Sequence, residues 1–357
     1  MDNSSNLELS NNNKSNNFNL LRLLAALQVV YDHTSLHLNI KLPKFFNIIY
    51  YFPGVPIFFG ISGFLITSSY FNNNNLRIYF RNRFLRIYPA LWVCFLITII
   101  LLFFFRKISI SNILTATFIK YFLSQVTFLQ FYTPLELKTW GVGSPNGSLW
   151  TIVIELQFYL ILPFLANLFK NKNKIKSILF LSSLAVFTYY LGRYYLTLSN
   201  SNFVTKILHI SFPLYLNYFL LGIISYIYWD KIKFFFKDRF IIWLLFYLIY
   251  IFIFSHLLKL YKISYYPNIF GLFGMILLWF TIISFAFSFN TLSNKVLSKF
   301  DISYGIYLYH MLVINIMYSY NYILINQYLR LLIVISCVIP LGLFSWIYVE
   351  KPLLKRK

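Results

Sequence analysis

Runs of roughly twenty apolar residues recur along the chain, near 19–39, 48–69, 87–105, 149–168, 177–198, 212–229, 240–258, 268–289, 303–323 and 330–349, each long enough to cross a bilayer as a helix. A backbone surrounded by lipid has no water to bond, so such a segment must satisfy its own amides as a helix. The pattern predicts an all-α polytopic membrane bundle of about ten transmembrane helices. Lysine and arginine fall mainly in alternate connections: Lys14 and Arg22, then Arg77, Arg81, Arg83 and Arg86, then Lys170 to Lys176, Lys231 to Arg239, Lys295 and Lys299, and Lys351 to Lys357. That asymmetry predicts both termini in the cytoplasm and a multi-pass protein of the inner (cytoplasmic) membrane, surrounded by membrane lipid. A net charge of +22 would otherwise suggest nucleic acid. With only 11% charged residues, gathered between apolar runs, the excess reads as a topology signal and no nucleic-acid partner is expected.

The expected organisation is a polar N-terminal tail at 1–17, a membrane domain at 18–350 and a basic cytoplasmic tail at 351–357. Residues 106–148 form a long extracytoplasmic or re-entrant excursion. Within it, the apolar stretch 113–132 is interrupted by Lys120 and Gln125. A crossing there would move three later basic clusters to the outer side, so an interfacial or re-entrant helix is the better reading. Loops of this length are usually functional.

Ionisable residues inside spans are costly and are candidates by default. Asp32, His33, Glu155 and His310 fall in predicted spans, and Arg22 lies at the inner end of the first. Arg22 and His33 are eleven positions apart and therefore share a face of the helix, about 16 Å apart along it. Histidine titrates near neutrality and can serve as a base, with a buried carboxylate to fix its tautomer. Glu155 is the expected partner if its span packs on the first, and Asp32, pointing about 100° away from His33, is the weaker one. His33 and His37 stand at i, i+4, but no third ligand accompanies them and no metal is expected. Two cysteines inside apolar runs suggest neither disulfide nor metal site.

Six blocks in order carry a resemblance over nearly the whole chain. They are Arg22-x10-His33; FFGISGFLIT at Phe58–Thr67, with Ser62 and Gly63; RNRFLRIYP, with Arg83, Arg86 and Pro89; SLWTIVIELQFYLILP at Ser148–Pro163, with Glu155; ISYGIYLYH, with Tyr304 and His310; and EKP at Glu350–Pro352. The chain resembles the acyltransferase-3 family of integral membrane acyltransferases, which includes O-antigen acetylases.

The resemblance implies an O-acyltransferase that takes acyl-CoA, expected to be acetyl-CoA, and acylates a hydroxyl of a surface glycan or lipid-linked saccharide. It implies His33 as base or acyl relay, with Glu155 orienting it. Arg22, Arg83 and Arg86 would hold the phosphates of coenzyme A. Ser62 and Gly63 would allow close approach of a helix or of the donor arm; Asp32, Tyr304 and His310 are further candidates. Some relatives carry a fused soluble domain. Here transfer is expected within the membrane unit, or a separate enzyme completes it. The alternative is a proton-coupled transporter or flippase, but its expected internal repeat is not visible.

Overall fold

The computed structural model describes residues 16–72, 75–170, 174–198, 203–259, 269–289, 292–297, 300–320 and 322–355. Of the basic residues behind the expected orientation, Lys14, Lys172, Lys299, Arg356 and Lys357 lie outside these. The principal helices are α1 (Phe18–His37), α2 (Gly54–Asn72), α3 (Leu76–Phe104), α4 (Ala116–Val126), α5 (Trp150–Lys170), α6 (Lys174–Leu198), α7 (Leu216–Ile227), α8 (Trp229–Phe236), α9 (Phe240–Ile251), α10 (Ile269–Ala286), α11 (Ser303–Ser319) and α12 (Gln327–Phe344). There are no strands among the described residues, as the apolar runs require.

Seven helices among the described residues are long and apolar enough to span, and α7 with α8, bent by 101°, makes an eighth at most. The two expected spans outside this set are α1 and α11. α11 has 17 residues, and α1 is diluted by Arg22, Gln28, Asp32, His33 and His37. The two helices that fall outside the set are thus the ones that carry His33 and His310. α4, with 11 residues, is about 16 Å long and too short to cross. It is tied to α3 by the Tyr88 hydroxyl on the Thr127 carbonyl at 3.0 Å and the Trp92 indole on the Val126 carbonyl at 3.2 Å.

The boundaries differ from expectation at two places. α3 begins at Leu76, so the arginine block lies on the helix and not in a connection before it. Beyond α12 the chain widens into a π-turn over Ser345–Glu350 and continues through Lys351–Leu354. Pro352 sits in the first turn of this final segment, where its missing N–H costs little.

The chain folds as two compact units, one of residues 1–25, 48–76 and 157–299, the other of 26–47, 77–156 and 300–357. The first is built around α2 and α7. A Cβ on Gly63 would collide with the carbonyl of Phe219, and one on Gly222 would lie 2.6 Å from the Phe64 nitrogen, so glycine is what lets the two backbones meet. Of the two roles expected for Gly63, the fold thus gives it approach of a helix. Aromatic rings fill the remaining core: Phe18, Phe64, Tyr226, Trp229, Trp279 and Phe287 are buried together.

The second unit is organised by α11, which packs on α12 through small residues. A Cβ on Gly305 would lie 2.8 Å from the Cα of Gly342. Gly63→Ala is expected to force α2 away from α7 and lower stability by about 1–3 kcal/mol. Thermal unfolding of detergent-solubilised protein checks this.

Candidate active site

His33 is half-buried near the end of α1, and His310 on α11 is completely buried behind it. Their rings stack at 5.0 Å with 21° between planes, and His33 Nδ1 meets His310 Nε2 at 2.8 Å. His310 Nδ1 in turn lies 2.7 Å from the Tyr307 carbonyl. A carbonyl can only accept, so Nδ1 of His310 carries the proton and its Nε2, in the neutral ring, offers a lone pair. His33 Nδ1 must then be the donor, which leaves His33 Nε2 unprotonated on the more open side of the pair. One backbone carbonyl fixes the tautomers of two rings in series. The ring of His33 is oriented by His310 and not by Glu155, the carboxylate expected to do so. Glu155 is half-buried on α5.

Asp32, beside His33 in sequence, takes a hydrogen bond from Gln28 Nε2 at 2.7 Å on one oxygen. Its other oxygen is buried without a partner. His37 lies one turn beyond His33, ring centroids 6.0 Å apart. No group among the described residues could hold a metal ion.

Other polar side chains on and beside α11 are engaged as well. The Tyr304 hydroxyl donates to the Ile87 carbonyl at 3.0 Å, with the Arg86 guanidinium 5.9 Å from its ring. The Tyr307 hydroxyl donates to the Ser148 carbonyl at 2.9 Å and also pairs with the Thr151 hydroxyl. Asn146 reaches the Leu308 carbonyl at 2.9 Å and accepts from the Ser148 hydroxyl at 2.8 Å.

The arginine block is built differently from expectation. Arg86 Nη2 pairs with Asp301 at 2.8 Å and its Nη1 approaches Glu350 at 3.5 Å. Ser303 donates to Asp301 at 2.7 Å and Ser345 to Glu350 at 2.9 Å. Both carboxylates are buried, at 6% and 3% exposure. Neither falls well inside an expected span. Their positions immediately before α11 and in the EKP block were the available signal. Arg86 accordingly ties α3 to both ends of the α11–α12 pair, and its charge is already opposed. Arg83 lies on the same helix, 5.9 Å from the Tyr79 ring. In the first unit, Arg22 donates to Asn19 at 2.5 Å, and Ser62 is half-buried on α2 next to Gly63.

A family model described as an acyltransferase domain matches residues 15–350. Nodulation protein 10 of Rhizobium leguminosarum is 29% identical over 360 residues, covering 95% of this chain and 93% of the relative. The peptidoglycan O-acetyltransferase OatA of Listeria monocytogenes is 32% identical over 149 residues, 40% of this chain and 22% of that protein. An O-acetyl transferase of Shigella phage Sf6 is 32% identical over 156 residues, 42% of this chain and 45% of that protein. No solved structure matches.

Arg86→Gln is expected to leave two buried carboxylates unopposed and to cost about 3–5 kcal/mol. The loss of thermal stability should exceed any change in donor KM; a folded, equally stable variant with a raised donor KM would reverse the assignment.

Proposed function

The chain belongs to the acyltransferase-domain family and is by that membership a multi-pass membrane O-acyltransferase, and from this premise we propose that it acetylates a hydroxyl of an exported polysaccharide. The donor is acetyl-CoA and the site is the cytoplasmic membrane. The observation that carries the reading is the His33–His310 hydrogen bond, because it leaves His33 Nε2 as an acceptor. In the reaction, the sugar hydroxyl gives its proton to His33 Nε2 as its oxygen attacks the thioester carbonyl. The tetrahedral intermediate collapses with cleavage of the C–S bond, and the departing thiolate takes the proton back from His33. The imidazolium formed in between is stabilised by donation from its Nδ1 to His310.

Arg22 and Arg83 are each proposed as a cation for phosphate, since guanidinium matches phosphate geometry. The eleven-residue rise of about 16 Å from Arg22 to His33 along one helix is of the order of the pantetheine arm. The polysaccharide acceptor is supported by the names of the peptidoglycan O-acetyltransferase relatives. The transporter reading has no support from the family or from these relatives.

Purified protein given acetyl-CoA and polysaccharide from a deletion strain should transfer acetyl groups. His33→Ala is expected to abolish transfer, and retained O-acetylation in that variant would overturn the proposal. His310→Leu, which offers neither an acceptor to His33 nor a donor to the Tyr307 carbonyl, should lower kcat by about 10²–10³-fold with little change in donor KM.

A further inference from the structure

Asn315 on α11 plays no part in the chemistry above, yet it is completely buried and turns all its hydrogen-bonding capacity on one loop. Its Oδ1 accepts from the Val142 N–H at 2.9 Å. Its Nδ2 donates to the carbonyls of Ser144 and Pro145, each at 2.9 Å. The loop is shaped to receive it. Gly141 and Gly143 have φ of +58° and +96°, a region glycine enters without strain. A Cβ on Gly141 would lie 2.5 Å from the Asn315 Cγ. Further along the same loop, Asn146 bonds the Leu308 carbonyl and Tyr307 bonds the Ser148 carbonyl. The loop therefore runs down α11 from Asn315 to Tyr307, and His310 stands at the edge of that stripe, about 60° round the helix from Tyr307.

Irregular backbone beside a spanning helix is tolerated where it is buried in protein or lines a wet cavity. Residues 141–144 are half-exposed and Gly147 is exposed, while Pro145, Asn146 and Ser148 are buried. The loop has one side pinned and one side open. We infer that Asn315 is a positioning residue, holding residues 141–148 as the wall of the acyl-acceptor site beside His33 and His310, so that a sugar hydroxyl reaches the base in preference to water. This rests on the acyltransferase reading.

The test compares wild type with Asn315→Ala, Asn315→Asp and Gly141→Ala. Acetyl-CoA is the donor and polysaccharide from a deletion strain the acceptor, with transfer and acceptor-independent CoA release measured separately. The variants should raise acceptor KM about tenfold, the worth of one or two hydrogen bonds. The ratio of hydrolysis to transfer should rise similarly, with donor KM unchanged. Asn315→Asp keeps the shape and the acceptor for Val142 but loses both donors, so it should not restore wild-type behaviour. If Asn315→Ala does not fold, Gly141→Ala disturbs the same contact from the loop side.

Unchanged acceptor KM and hydrolysis ratio in folded Asn315→Asp and Gly141→Ala would overturn the inference, and so would an equal loss in donor and acceptor parameters. Wild-type protein that transfers no acetyl group would instead sink the acyltransferase reading. Amide exchange across 141–148 then decides the clamp alone: faster exchange at Val142 in Asn315→Asp supports it, and unchanged protection overturns it.

Discussion

Polar groups withdrawn from water must find partners within the protein, and the second unit is arranged around that requirement. α11 brings into an apolar setting two tyrosine hydroxyls, an imidazole and a carboxamide, at Tyr304, Tyr307, His310 and Asn315. Each is met: by the Ile87 carbonyl, the Ser148 carbonyl, His33, and the loop at 142–145. Because these bonds lead to three different elements, satisfying one helix fixes the positions of α1, α3 and the loop before α5. The geometry of the proposed catalytic pair is a by-product of the same pairing.

The chemistry gains from this rigidity. A histidine base works when the correct nitrogen is free and the other is held; in the proposed reaction the His33 ring is held by a second histidine anchored on a backbone carbonyl. A carboxylate partner would hold a full charge in the membrane, whereas the neutral imidazole supplies a hydrogen bond without one. A second cluster sets Arg86 between Asp301 and Glu350, where opposite charges offset one another.

Hydropathy read along the chain showed the helical class and most of the spans, since a lipid environment leaves the backbone so few options. It also drew attention to α1, whose Arg22 and His33 break an apolar pattern, and to His310 within a tyrosine-rich block. It was weaker where polarity coincided with a helix end. Asp301 and Glu350 looked like flanking charges, and Arg86 like a phosphate ligand in a connecting loop, until α3 proved to begin at Leu76. Asn315 and Asn146 carried no signal beyond being amides among apolar residues, although each is a structural pivot.

The amino-acid sequence by itself determined that this chain is a membrane helix bundle of the acyltransferase type, and that His33 sits on a helix with a reason to be polar. These are local properties, set by apolar run length and by motifs of neighbouring residues. Only the tertiary structure decided that His310 and not Glu155 holds the His33 ring, that Arg86 is paired with two carboxylates, and that Asn315 grips the loop before α5. Those pairings join residues separated by up to 277 positions, and which groups meet across such distances depends on how the helices pack, which run length and motif spacing do not specify.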